Sequence, residues 1–456
     1  MKISFYTIIF ALLKVYEFYQ YWKLLMSNSF VSFNRNKKLK MTMYTFRPYE
    51  LVKVNYKCYR GLFDKGINSY PRPRSGHRIV CNDSDLYCFG GFNPNVEGPD
   101  RTLYLFQELW KFDLFTKKWS LVYSNTVEGM PEELASNAVI LKNNMLIVFG
   151  GTGYPFGTSC SNKCYLLMPH NKRPKAIAAL ETTGDRPVPQ YGQAVVLHDD
   201  YLYVVGGTTG FEYSCDVYRL HLVSKVWECI SVCREDIRED PKGRYRHEIV
   251  ADDTYIYVLG GGNAETAYSL EYIPVFSFEL QQWTVLHSKP DPSLPPPGYP
   301  QSRKCHSCVQ YETDHGIEVV IAGGFFEDLE FFDDIWKLNL STLQWTLFKT
   351  ATLPHPLYFH DAATSGNGLM HIFGGVEVKG LENDPHNEVY ESERTNEVYS
   401  MWTTIPKLSE ICWQAVLHYN PTLPSYSLNQ LLEMGISLKF ASRISRHSKI
   451  ECDGNL

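Results

Sequence analysis

The apolar residues of this chain fall in short runs of strand length, and six of them end in Gly-Gly. The runs are Leu86–Gly91, Met145–Gly151, Tyr201–Gly207, Tyr255–Gly261, Glu318–Gly324 and Leu369–Gly375. Their first glycines are separated by 60, 56, 54, 63 and 51 residues. After most doublets comes an alternating run, a turn and a tryptophan. Leu109–Asp113 with Trp119, Val217–Leu220 with Trp227 and Ile335–Leu338 with Trp345 follow the pattern, and Val275–Phe278 with Trp283 is two residues shorter. The second repeat keeps Tyr165 without a tryptophan, and the sixth keeps Val398-Tyr399 and then departs. Period-2 alternation broken by turn residues predicts antiparallel hairpins. A period of this length predicts an array of one supersecondary unit rather than separate domains.

Gly-Gly, Tyr and Trp recurring in this order over residues 70–404 resemble the kelch repeat. The resemblance implies an all-β, six-bladed kelch β-propeller, one four-stranded blade per repeat. Radial repetition protects strand edges, and the aromatics fill the wedges between sheets. A tandem of β-sandwiches would not explain the glycine periodicity. The sixth repeat lacks an outermost strand after Trp402, and Leu51–Tyr56 alternates like a strand. It is expected to pair with the last blade and close the ring, which sets the propeller at residues 44–404.

After Trp402 the period changes. Leu408, Ile411, Cys412, Ala415 and Val416 recur at helical spacing, and Asn420–Pro424 ends the run. A second helix is expected with Leu428, Leu431, Leu432, Gly435, Ile436 and Phe440, and from Lys439 the chain reads as polar and frayed. Leu408, Cys412 and Val416 resemble the BC-box that docks on elongin C, although Lys407 stands where a small residue is usual. Leu423-Pro424 resembles the start of a cullin-2 box; Ser427 stands where a cullin-5 box would have a second proline. Residues 405–445 are thus read as a helical BC-box and cullin-box tail, and 446–456 as a disordered end. Six kelch repeats followed by this helix pair resemble the kelch group of cullin-2 substrate receptors. The resemblance implies a non-catalytic ubiquitin-ligase subunit. Its partners would be elongin B/C, cullin-2 with its RING subunit, and substrate C-termini ending in glycine. The alternative is a kelch interaction scaffold with no ligase role.

Counting back from each Gly-Gly locates the chain segment entering the innermost strand. Arg74, Arg244 and Arg303 recur there, with His247, His306 and His360 three residues further on, and Arg246, Tyr191 and Tyr245 beside them. Converging arginines suit a carboxylate, because a guanidinium pairs with it bidentately. These nine residues are the expected substrate contacts, with Tyr191 and Tyr245 as walls. The competing reading is that the Arg and His side chains only tie neighbouring blades together.

Composition narrows the function further. The 456 residues carry a net charge of −6, so no basic excess argues for nucleic acid. Aromatics at 14% with 31 glycines fit many short strands and tight turns. The apolar run Ile3–Leu13 is eleven residues, too short for a bilayer, where about 20 are needed. No small-residue cleavage site follows it, so residues 1–43 are read as a dispensable extension and no membrane partner is expected. Twelve scattered cysteines suit a reduced cytoplasmic or nuclear protein. Cys305-His306-Ser307-Cys308 has no second ligand pair, so neither metal nor cofactor is expected. No nucleophile elbow, phosphate loop or zinc-protease helix motif points to catalysis.

Overall fold

The computed structural model describes residues 43–56, 70–96, 104–169, 177–234, 236–237, 239–327, 330–380 and 391–445. The extension read over 1–43, Met43 excepted, and the end read over 446–456 lie outside these residues. Arg47–Ile405 form one compact unit, and the second draws on Met1–Phe46 and Pro406–Leu456.

The first unit is a six-bladed kelch propeller. Blade five shows the design: Ser307–Thr313, Gly316–Ala322, Asp334–Asn339 and Gln344–Thr352 pair antiparallel in that order, from inner to outer strand. Blade two has the same order although it lacks the tryptophan, its outer strand being Ile177–Ala179. Blade three gains a parallel edge strand, Thr183–Gly184. In blade six the outer position is filled from the other end of the sequence, by Val52–Lys53 paired antiparallel with Val398–Trp402. That blade also carries a three-stranded sheet of Leu357–Tyr358, Val376–Lys379 and Glu391–Arg394.

Packing between blades follows from the repeat. Six buried apolar clusters occupy the six blade interfaces. Each draws on the aliphatic second strands and on outer-strand aromatics. Trp119 of blade one packs 5.1 Å from Phe373 of blade six, and Trp227 of blade three 5.3 Å from Phe149 of blade two. Burying about 200 Å² of such a ring stabilises the fold by about 5 kcal/mol. The glycine doublet serves the same interface. The second glycine of each doublet donates its N–H to a carbonyl of the next repeat, and Gly375 returns the series to Arg74 of the first, all at 2.8–3.0 Å. A Cβ on Gly323 would lie 2.3 Å from the Leu357 carbonyl oxygen, so only glycine allows this approach.

A second closed series encircles the axis. Gly76, Ser136, Gly192, Arg246, Cys305 and Phe359 each donate a backbone N–H to the carbonyl of the preceding member, with Gly76 donating to Phe359. The six bonds are 2.8–3.1 Å long, and all six residues have φ between 52° and 68°. Left-handed backbone at one position per repeat turns each amide along the ring instead of along its strand. This ring marks one end of the central channel.

The second unit is helical. Helix α1 spans Leu408–Tyr419, α2 Leu428–Glu433 and α3 Leu438–Ser445. Ser427 and Gln430 form a reciprocal capping box at the start of α2. The single second helix expected from the sequence is divided. Gly435, at φ 81°, donates to the Leu432 carbonyl and Ile436 to that of Leu431, the paired bonds of a Schellman stop. The segment from Lys439, expected to fray, is helical and buries Ala441 and Ile444.

Candidate functional site

The sequence-derived contacts separate into three groups. Arg74, Arg244 and Arg303 are clamps. Arg303 Nε donates to the Gln301 carbonyl at 3.0 Å, Nη1 to that of Gly323 at 3.0 Å, and both terminal nitrogens to Asp334. Arg74 repeats this with Arg72, Gly90 and Glu108, and Arg244 with Lys242 and Gly260. The three guanidinium groups lie 4.4, 4.5 and 4.2 Å from the rings of Phe106, Tyr268 and Phe332. Arg74 and Arg303 are fully buried. Each clamp holds the first glycine of its own doublet, so these three leave the set of substrate contacts.

The histidines are buried against the neighbouring blade, and His247 braces it by a hydrogen bond. His247 Nε2 lies 3.1 Å from the Val205 carbonyl oxygen of blade three, the residue before the glycine doublet. His77 makes the same contact with Phe373, and Gln193 with Phe149. His306 and His360 are buried at the same repeat position, against Gly260 and Gly323 of the preceding blades. Burial holds the His247 and His360 imidazoles at about pKa 3, and those of His77 and His306 well below the usual value. All four are neutral at neutral pH and unsuited to binding an anion, so His247, His306 and His360 also leave the contact set.

Arg246, Tyr191 and Tyr245 are brought together at the ring. Arg246 comes from blade four, yet its Nη2 hydrogen-bonds Ser136 Oγ of the second repeat and would lie 3.1 Å from a Cβ on Gly76 of the first. The side chain therefore crosses the axis. Its guanidinium stands 4.8 Å from the Phe359 ring, and its buried Nε has no hydrogen-bond partner. Burial pulls its pKa below the usual guanidinium value. Tyr245 lies 6.4 Å from Tyr191 and 5.4 Å from Tyr213. Opposite them Phe325, Phe331, Tyr358 and Phe359 form a second aromatic cluster. Among the described residues the mouth thus holds a buried cation in an aromatic wall, with no carboxylate bound to it.

Two further cations belong to this mouth and were not expected. Lys304 Nζ donates to the Asn263 carbonyl at 2.8 Å and lies over Phe325. Arg394 Nε donates to Ser75 Oγ at 3.1 Å, its guanidinium 5.3 Å from Phe92. Lys304 stands at the repeat position of Tyr191 and Tyr245, where the charge was the available signal. Arg394 comes from the insertion of blade six, which has no counterpart in other repeats.

Below the ring, Arg78 Nη1 reaches Glu248 Oε1 at 2.8 Å and Asp361 Oδ1 at 3.1 Å, joining blades one, four and six through the channel. Other repeats place Ala138, Ala194 and Ser307 there, so three charges at a small-residue position were a readable sign. A cavity of about 290 Å³ continues beyond, lined by residues including Ile140, Val195 and Gln310.

The tail residues also separate. Leu408 is 59% exposed, whereas Cys412 and Val416 are half-buried, with Tyr44 against the C-terminal part of this helix. The buried side of α1 is instead Glu410, Trp413 and Ala415. Trp413 stacks on Phe440 at 5.0 Å, and Glu410 accepts both Arg443 Nη1 at 2.7 Å and Nη2 at 3.0 Å. The ion pair and the large ring thus decide which side of α1 turns inward, correcting the aliphatic face expected. Leu423 is only 2% exposed and belongs to the tail core, not to a docking surface; Pro424 is half-buried.

Comparison with known proteins matches this architecture. The KLHDC2/KLHL20/DRC7 Kelch-repeats domain model covers residues 65–261 and 247–416. The chain is 45% identical to the Kelch domain-containing protein 10 homolog of Drosophila melanogaster, over 88% of this chain and 66% of that protein's length. It is 42% identical to Kelch domain-containing protein 10 of Xenopus laevis, over 82% of this chain and 86% of the relative. The human protein of that name is 40% identical over 82% of this chain and 80% of its own. With its six blades and its helical tail, the chain belongs to the Kelch domain-containing protein 10 family of kelch-repeat proteins.

Proposed function

We propose that this kelch interaction domain is the substrate-recognition subunit of a cullin-2 RING ubiquitin ligase, acting in the cytoplasm or nucleus on proteins whose C-termini end in glycine. The observation that carries the reading is Arg246, a buried guanidinium laid across the channel mouth with an unpartnered Nε and no carboxylate bound. A chain-terminal carboxylate would supply the missing anion, and charge-assisted bonds in such a site are about twice as strong as neutral ones. Glycine at the terminus lets the carboxylate approach between Tyr191, Tyr245 and Phe359 without a side chain to house. Lys304 and Arg394 add positive potential at the rim. The exposed Leu408, with the half-buried Cys412 and Val416 one and two turns on, supports elongin B/C docking by a helix laid in a groove, and Pro424 would begin the cullin-2 contact. Ubiquitination itself would be performed by the RING partner.

Fluorescence anisotropy with a glycine-ended peptide and its C-terminally amidated form tests the site. The amide is expected to bind at least tenfold more weakly, and Arg246→Gln to reduce the free-acid affinity to the same level. Equal affinity for both peptides would overturn the carboxylate reading.

A further inference from the structure

The thiols supply a chemistry that the mouth does not use. In blade three, the strand Tyr213–His221 pairs antiparallel with Val226–Ser231, and the last matched pair is Val217 with Ser231. Two residues before Val217 stands Cys215, and two residues past the end of the outer strand stands Cys233. Cys233 Sγ donates to the Cys215 carbonyl at 3.0 Å, and both side chains belong to the apolar cluster between blades three and four. The Cys233 N–H is held by Asp216 Oδ1 at 2.9 Å, which fixes this residue against its neighbour strand. Residues facing each other across antiparallel strands hold their Cβ atoms about 4.5–5.5 Å apart, and a disulfide needs about 3.5–4.5 Å. The Cys233 sulfur already reaches the Cys215 backbone, so the two side chains are neighbours. Among the described residues no other two thiols make such a contact.

We propose that Cys215 and Cys233 are a redox pair that a peroxide converts to a cross-strand disulfide. Cys215 is fully buried and Cys233 half-buried, so the oxidant meets Cys233 first. The peroxide O–O bond breaks as one oxygen bonds the Cys233 sulfur, giving a sulfenic acid and one water. The Cys215 sulfur then attacks the Cys233 sulfur, and the S–O bond breaks. The departing hydroxide takes the Cys215 proton as a second water. Two thiols lose two electrons in all, and the peroxide gains them. The surroundings favour the attacking role of Cys215. Burial raises the pKa of both thiols, and the adjacent Arg244 guanidinium favours the thiolate at Cys215 alone, so exposure and not acidity brings the oxidant to Cys233. The thiolate is the attacking form in such exchange.

The full chain is titrated with hydrogen peroxide, blocked with N-ethylmaleimide, unfolded, digested without reductant and mapped by mass spectrometry. A Cys215–Cys233 linked peptide, two hydrogens lighter than the sum of its parts and released by dithiothreitol, is expected before the buried Cys88, Cys164 and Cys305 change. Recovery of Cys215 as a free thiol while Cys233 is over-oxidised, or bridged to Cys229, would overturn the proposal. Cys215→Ala is expected to raise a dimedone adduct on Cys233 severalfold over the parent chain. An unchanged adduct yield would remove Cys215 from the second step.

Discussion

Arg303 and Arg246 look alike in the sequence, and their neighbours give them opposite roles. Arg303 is bound at every nitrogen within its blade, whereas Arg246 carries a buried donor with no partner. Removing the first breaks the pair of a buried guanidinium with the half-buried Asp334 and strips the Gly323 carbonyl. Arg303→Ala is therefore expected to cost about 3–5 kcal/mol in a urea unfolding experiment. Arg246→Gln removes a desolvated cation and should shift the same curve by less than about 1 kcal/mol. The inverse ranking would show that Arg246 is the brace. Residue type and spacing were readable from the chain. Which guanidinium ends at a backbone carbonyl and which crosses the axis depends on residues more than a hundred positions away, such as Ser136.

Among the elements, helix α1 carries the sharpest test. Leu408 is exposed and Cys412 and Val416 half-buried, while Trp413 and the Glu410–Arg443 pair hold the other side of the helix. Leu408→Ser with Cys412→Phe is expected to abolish co-purification of elongin B/C and to leave the melting temperature within about 2 °C. Retained elongin would contradict the docking reading. Burial raises the carboxyl pKa of Glu410, yet Arg443 and Lys439 more than offset this and hold it below the usual range. The stop at Gly435 was present in the sequence as a glycine after a short apolar run. It was missed because the apolar spacing continues through it to Phe440.

For the whole molecule, five buried histidines make stability depend on pH. His77, His247, His306, His360 and His371 all have pKa values depressed by burial, those of His247, His360 and His371 to about 3. In the unfolded chain each titrates near its ordinary value of about 6.5. Between the two values the unfolded chain binds more protons, so stability is complete above about pH 6.5 and is lost as pH falls toward 3. Each histidine contributes a slope of about 1.4 kcal/mol per pH unit. Glu248 and Asp361, raised by burial despite Arg78, bind protons in the fold and offset part of this. Thermal melts at pH 7.5 and 5.5 are expected to show a clear fall in melting temperature at the lower pH. A flat profile would mean that the histidines are not held neutral.

From the chain alone, the repeat, the number of blades, the aromatic wedges and the change of period after Trp402 could be read, because each rests on local spacing. The left-handed ring residues share no side-chain type: Gly76, Ser136, Gly192, Arg246, Cys305 and Phe359 have in common only a backbone angle. No pattern of hydrophobic and polar letters records it. Closure decided which side chains meet across the axis: it set His247 against the neighbouring blade and laid Arg246 across the channel to Ser136. The physical reason is that repeat spacing constrains neighbours within a blade, whereas a ring brings opposite blades together, and only the closed fold fixes which residues face each other there.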